Sequence, residues 1–283
     1  MNFPKRIICL TEETTETLYL LGEQDRIVGI SGYTVRPSEA RRDKPKVSAF
    51  INAKFDKIMA LEPDLVFAFS DLQAEIAAEL IRRGVNVFTF NQRSVDEILD
   101  MILTVGRIVG SERAQALVDD LNLGLDAIRN SAARFPFRPR VYFEEWFDPL
   151  ISGIRWVDEL IEIAGGETVF PDLRYQQAAK DRIIDPQMVI DADPQVIIGS
   201  WCGRQVKKNL IRERAGWDGI SAVRDGHICE VKSTYILQPG PASLTEGVRQ
   251  IHAILAHCVG TTVEASLCPR EKTDSALATA VSA

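Results

Sequence analysis

Apolar and polar positions follow two rhythms along this chain. Residues 6–10, 26–31, 65–69 and 85–90 are short runs rich in β-branched and aromatic side chains, and they read as strands. Between them apolar residues recur at helical spacing, over 17–21, 56–61 and 72–83. Thr11-Glu12-Glu13-Thr14 precedes the first helix, a threonine with carboxylates just after it, which is an N-cap pattern. Gly22 and Gly84 stop two of these helices, and Glu62-Pro63 stops the third. Residues 46–50 read as a short strand or an extended loop. Strands alternating with helices predict a parallel sheet covered by helices.

From 94 to 134 the alternation gives way to helix alone. Ser94-Val95-Asp96-Glu97 is a capping box, Ile98, Ile102, Val105 and Val109 share a face, and Gly110-Ser111-Glu112-Arg113 marks a break and a new cap. About 40 residues of helix would measure about 60 Å, enough to lead from one lobe to another. After Phe135-Pro136-Phe137-Arg138-Pro139 the alternation returns. Strands are predicted at 140–143, 195–200 and 227–231, and helices at 156–164, 186–192, 209–214 and 244–258. The strand at 140 leads into Glu144-Glu145-Trp146, read as an acidic loop. The halves echo each other: IMALEPDLVFAFS and MVIDADPQVIIGS each run from a helix end through an acid and a proline into a strand ending in serine. The expected fold is α/β, two Rossmann-like lobes with parallel sheets joined by a long backbone helix. The boundaries read as an N-terminal lobe over 1–93, a linking helical segment over 94–134, a C-terminal lobe over 135–259 and a disordered tail over 260–283.

Composition narrows the function. Of 283 residues, 33 are Lys or Arg and 40 Asp or Glu, a formal charge of −7, which argues against nucleic acid as a partner. No run approaches the roughly 18 apolar residues of a membrane span, so membrane insertion is not expected. The apolar run near the N-terminus is short for a secretory signal, which points to the cytoplasm as the sequence stands, or to the periplasm if the true start lies upstream. Five scattered cysteines with no CxxC form neither a disulfide framework nor a zinc motif. His252 and His257 lie five apart, poor geometry for one helical face, and no histidine falls in a cysteine cluster, so no metal site is expected. Cys202, beside Trp201, is the sulfur placed to act as an axial ligand to a bound metal centre. No nucleophile–base pair or phosphate loop stands out, and no cofactor is required.

In open α/β sheets ligands bind beyond the carboxyl ends of the strands. Here those ends carry aromatic and uncharged polar groups together with acids. The candidate ligand-binding residues are Glu12, Glu13, Tyr33, Phe50, Ser70, Asp71, Gln92 and Arg93 in the first half, and Glu144, Glu145, Trp146, Trp201, Arg204 and Tyr235 in the second. Such a set suits a large ligand with apolar faces and hydrogen-bonding edges. Each has a plainer reading: core packing for Trp146 and Trp201, a helix cap for Glu144 and Glu145, and a solvated basic face for Arg204, Lys207 and Lys208.

The segments RIICLTEETTETLYLLGEQDRIVGISGY, KIMALEPDLVFAF, LIRRGVNVFTF, LIEIAGGETVF and WDGISAVRDGHICEV, in this order and spacing, carry a resemblance. From about residue 6 to 259 the chain resembles the ABC-transporter substrate-binding proteins that include vitamin B12, iron-siderophore and haem binders. The resemblance implies two lobes bridged by one long helix, a ligand held in a shallow cleft between them, and acids on the lobe surfaces that dock on a transporter permease. Glu75 falls where the first docking acid would lie, and Glu213 is taken as the second. The expected function is non-catalytic binding of a metal chelate, a corrinoid before a siderophore or haem, by a monomer that serves an ABC importer or acts as a carrier or sensor. The competing expectation is an enzyme acting on such a ligand through Glu144, Glu145 or Cys202.

Overall fold

The computed structural model of the chain describes residues 3–270. It divides into two compact units. One holds residues up to 92 with 96–121 and 239–241; the other holds 93–95, 122–238 and the residues from 242 onward.

The first unit runs β1 (Ile7–Cys9), α1 (Glu12–Leu20), β2 (Ile27–Ser31), α2 (Ser38–Asp43), β3 (Lys46–Ala49), β4 (Asn52–Ala53), α3 (Phe55–Ala60), β5 (Leu65–Phe69), α4 (Ala74–Arg82) and β6 (Val87–Phe90). Then come α5 (Val95–Val109) and α6 (Ala114–Ala132), which begins in this unit and ends in the other. The sheet order is β4-β3-β2-β1-β5-β6, parallel except for the β3–β4 pair. β1 and β5 are apolar at every position and buried at every position, as strands covered on both faces must be. Ile8, Val47, Val66 and Ala68 from the strands, with Leu10 just after β1, pack with Ile58, Ile76 and Leu80 from α3 and α4. Strand order reverses at β1, with β2 and β3 to one side and β5 and β6 to the other, so the switch point lies at the carboxyl ends of β1 and β5.

The second unit runs β7 (Arg140–Phe147), β8 (Leu150–Ser152), α7 (Arg155–Ile163), β9 (Glu167–Thr168), α8 (Pro186–Ala192), β10 (Val196–Gly199), α9 (Lys208–Arg212), α10 (Ser221–Arg224), β11 (Ile228–Glu230), α11 (Ser233–Ile236) and α12 (Val248–Cys258). Its sheet order is β11-β10-β7-β8, with β9 also on β7. β9 pairs in parallel with Arg140 and Val141, and β8 pairs antiparallel with the far end of β7. Here the switch point lies between β7 and β10. Trp201, Trp217 and Tyr142 are the large side chains of the core on this side.

The parallel, helix-covered sheets match the expected fold class, and the break at 110–113 separates α5 from α6, with Gly110 at φ +68°. Two readings change, and some short elements are new. Glu144, Glu145, Trp146 and Phe147 do not form an acidic loop: β7 continues through them and folds back at Asp148-Pro149 into β8. Trp146 and Phe147 favour strand, and β8 supplies the partner that keeps the edge paired. Residues 38–43 are helical, and 171–182 hold two 3-10 turns; neither element has the length to show a period. In the segment after Gly260, Ala265–Leu267 form a 3-10 turn with Leu267 buried, and Arg134 donates to Glu264 at 2.6 Å. The rest of the expected tail, 271–283, lies outside the described residues. Among the described residues no helix is long and apolar enough to cross a membrane.

Candidate functional site

At the carboxyl edge of the first sheet, β1 delivers Glu12 and Glu13 to the start of α1, where acids suit the positive end of the helix. Both are almost fully buried. One Glu12 oxygen accepts from the Arg36 backbone N–H (3.0 Å) and faces the Arg36 guanidinium (3.1 Å). One Glu13 oxygen accepts from the Thr11 hydroxyl at 2.6 Å. The second oxygen of each is buried without a hydrogen bond. Burial pushes both carboxyls up to about 7; Arg36 works against this at Glu12, and the Thr11 hydroxyl at Glu13.

A Cβ on Gly240 would stand 2.5 Å from the Glu13 Cβ, so only glycine lets the 239–241 segment pass over Glu13. Gln92, buried, donates its amide to the Pro239 carbonyl at 2.9 Å and so ties that segment down.

A raised carboxyl has a consequence for stability. Between about 4.5 and about 7 the folded state binds more protons at Glu13 than the unfolded state does. Stability is therefore lost as pH rises through that window, and the deficit is full above it. Glu13→Gln, which keeps an oxygen for Thr11, is expected to raise stability by about 1–3 kcal/mol at pH 8 and by much less at pH 5. Urea denaturation at the two pH values checks this; an equal gain at both would show that the charge is not what is removed.

Other strands of the same sheet end in exposed apolar side chains. Tyr33 after β2, Ile51 after β3 and Leu72 after β5 are 62%, 63% and 57% exposed. Phe50 is half-buried and Asp71 exposed. Ser70 is buried at φ +56° and ψ 178°, a region costly for any residue with a Cβ, and its hydroxyl accepts from the Leu72 N–H at 3.3 Å. That turn puts Leu72 at the surface. Arg93, assigned to the second unit, is half-buried and engaged.

At the carboxyl edge of the second sheet, Glu144 lies on β7 beside Ser200, whose N–H donates to the Glu144 carbonyl at 2.9 Å. Its carboxylate is fully buried. Arg214 donates to both oxygens, at 2.5 and 2.9 Å, and the Trp201 indole N–H donates at 3.0 Å. The Arg214 guanidinium also lies over the Trp217 ring, 4.5 Å from its centre. The Tyr142 phenol is raised well above its ordinary range by burial and by Glu144. Glu145 pairs with Arg182 at 2.6 Å, and Arg182, itself buried, also donates to the Ser152 carbonyl.

Above this layer lie the half-buried Trp146 and Phe147, ring centres 5.0 Å apart. Phe147 rests on the buried Trp201 at 4.5 Å. The exposed Arg204 covers both outer rings at 5.7 and 5.8 Å. Tyr235 is buried on α11. Glu75 is exposed in the first turn of α4, and Glu213 is exposed at the end of α9.

The candidates therefore separate by height. Tyr33, Phe50, Asp71, Trp146 and Arg204 reach the surface at strand ends. Glu12, Glu13, Ser70, Gln92, Glu144, Trp201 and Tyr235 lie beneath. Sequence reasoning did not single out Ile51, Arg182 or Arg214. Exposure marks Ile51, and sequence spacing carries no signal for an arginine that returns 37 or 70 residues later to a buried glutamate. Among the described residues no three His, Cys, Asp or Glu side chains are gathered closely enough to hold a metal ion.

Comparison with known proteins agrees with this architecture. A cobalamin-binding protein of Halobacterium salinarum is 23% identical over 260 residues, covering 88% of this chain and 69% of that one. An uncharacterised ABC transporter substrate-binding lipoprotein of Bacillus subtilis is 26% identical over 258 residues, covering 88% and 79%. The solved periplasmic heme-binding protein from Roseiflexus sp. RS-1 shares the fold with a TM-score of 0.77 at 22% identity, over 90% of this chain and 99% of that one. Residues 7–235 match the periplasmic binding protein family, and the chain belongs to that family.

Proposed function

We propose that this chain is a non-catalytic binding protein for a large, partly apolar metal chelate, a corrinoid in the first instance, and that it serves as the substrate-binding component of an ABC importer. The observation that carries this reading is the set of apolar side chains left exposed or half-buried at strand ends, Tyr33, Ile51 and Leu72 on one unit and Trp146 and Phe147 on the other, in sheets whose carboxyl edges also hold buried carboxylates. Large apolar side chains left in water at carboxyl strand ends suit a broad ligand face. Asp71 and Arg204, exposed beside them, offer hydrogen bonds to its polar edge. The relatives' names favour the same class. Glu75 and Glu213 are the proposed acids for docking on a permease.

An enzymatic role has less support. Glu144 and Glu145 are both held by arginines, and partial loss of solvation at the sulfur of the otherwise exposed Cys202, followed by the charge of Glu145, raises that thiol.

One observation favours haem as the alternative ligand. The Tyr33 phenol is exposed at a strand end, and a phenolate is a known axial ligand of ferric haem. Titration with cobalamin, cobinamide, haem and ferric siderophores, followed by tryptophan quenching and calorimetry, separates the readings. Cobalamin is expected to bind near stoichiometrically at micromolar protein. Trp146→Ala is expected to weaken it about 30-fold, the loss of a central aromatic contact worth about 2 kcal/mol. Tyr33→Phe should leave corrinoid binding nearly intact; if haem binds instead, and that variant abolishes it, haem is the ligand. Binding of none of these compounds would remove the proposal.

A further inference from the structure

Tyr33 is 62% exposed, yet the backbone that carries it is held at several points. β2 ends at Ser31, and the next N–H, of Gly32, donates to the Ser48 carbonyl of β3 at 2.7 Å. The Ser31 hydroxyl accepts from the Tyr33 N–H at 3.2 Å, and the Ser31 carbonyl accepts from the Thr34 N–H at 3.2 Å. Arg41 reaches back from α2. Its Nη1 alone donates to the Gly32 carbonyl at 3.1 Å and to the Thr34 carbonyl at 3.2 Å, the two carbonyls on either side of Tyr33. Among the described residues no carboxylate pairs with Arg41; Asp43, two positions on, is taken by Arg42. At the far end of the loop the Arg36 N–H donates to the buried Glu12 at 3.0 Å, and the Arg36 guanidinium lies 3.1 Å from the same oxygen. The loop from 31 to 36 is therefore tied at its start by Ser31 and Ser48, across its tip by Arg41 and at its end by Glu12.

We propose that Arg41 and Glu12 are positioning residues that hold Tyr33 in place in advance as a ligand anchor. A solvated turn needs no such ties, because water satisfies exposed carbonyls. An aromatic on a free loop would have to be ordered on binding, and that ordering subtracts from affinity. A loop fixed beforehand avoids the loss, and a tyrosine then offers a large contact area with few rotatable bonds. Glu12 is buried and acts through the loop, not on the ligand, and the whole role rests on the proposed place of Tyr33 in the ligand surface.

The test uses the full chain and two readouts. In the ligand-free chain, amide hydrogen exchange at Tyr33 and Thr34 measures the ties directly. Arg41→Met keeps the apolar stem and loses the donor, and exchange is expected to quicken about 3–10-fold, as for the loss of one hydrogen bond. Arg41→Lys restores a nitrogen able to serve both carbonyls and should return exchange toward the original rate. Arg42→Met, at the neighbouring exposed arginine, should leave it unchanged. The second readout is titration at pH 8, where Glu12 is mostly ionised, with cobalamin, or with haem if that is what binds. Arg41→Met and Glu12→Gln are each expected to weaken binding about 3–10-fold, and Arg41→Lys less. In a Tyr33→Ala background Arg41→Met should add nothing, because the side chain it positions is gone. Unchanged exchange in Arg41→Met would overturn the ties. Quickened exchange with unchanged affinity, or a loss of affinity that persists in the Tyr33→Ala background, would overturn the positioning role. Failure of every compound to bind would remove the ligand reading and the anchor role with it, while the exchange rates would still decide whether Arg41 holds the loop.

Discussion

Arg214→Ala is expected to destabilise the second unit by about 3–5 kcal/mol, because it leaves the fully buried Glu144 carboxylate with a single neutral donor. Arg214 supplies two charge-assisted hydrogen bonds to that group. The attraction between the two charges is largely offset by the cost of taking them out of water, so the pair itself contributes little. Removing one partner leaves the burial cost of the other uncompensated. Glu144→Gln alone is expected to cost less, since an amide oxygen still accepts from Trp201 and Arg214. In the Arg214→Ala background the same change should restore at least half of the loss. Urea denaturation of the four proteins measures the coupling. A double variant as unstable as Arg214→Ala would place the loss in the packing of Arg214 on Trp217, 4.5 Å away, rather than in the stranded charge.

Trp201→Ala is expected to cost a further, comparable amount, about 3–5 kcal/mol, through the cavity left by a fully enclosed indole. Trp201 underlies Phe147 and holds Glu144, so its loss loosens both the aromatic surface and the buried acid. Trp201→Phe keeps most of the volume and loses only the indole hydrogen bond, an expected cost of about 1–2 kcal/mol. The difference between the two variants separates packing from hydrogen bonding. Ligand affinity adds a second readout. If Trp201 supports the surface from below, Trp201→Phe leaves affinity nearly unchanged while Trp146→Ala lowers it. Equal losses in both would make Trp201 a direct contact.

How much of this was legible from the chain differs between fold and site. The two α/β halves and the helical break at 110–113 follow from local periodicity and from capping and stop residues, which act within a few positions of one another. The strand ends were also legible, and with them the neighbourhood of Tyr33, Ser70, Trp146 and Trp201. Which of these residues face water was not. Trp146 and Trp201 look alike in sequence, each aromatic at a strand end, yet one is half-buried and the other enclosed. The β7–β8 hairpin was missed because a strand's length depends on whether a partner lies alongside, and β8 appears as a partner only after the chain has turned.

The sequence by itself determined the class of fold and the family, because helix and strand periods and turn residues are local properties repeated in order along 7–235. It also determined that both sheets would bring acids and aromatics to their carboxyl edges. Tertiary structure alone decided the role of each of those groups. The fates of Glu144, Glu145 and Gln92 rest on Arg214, Arg182 and Pro239, partners 70, 37 and 147 residues away. Burial then made Glu12 and Glu13 weak acids. Charge pairing and desolvation depend on distance in space, and a linear sequence does not record that distance.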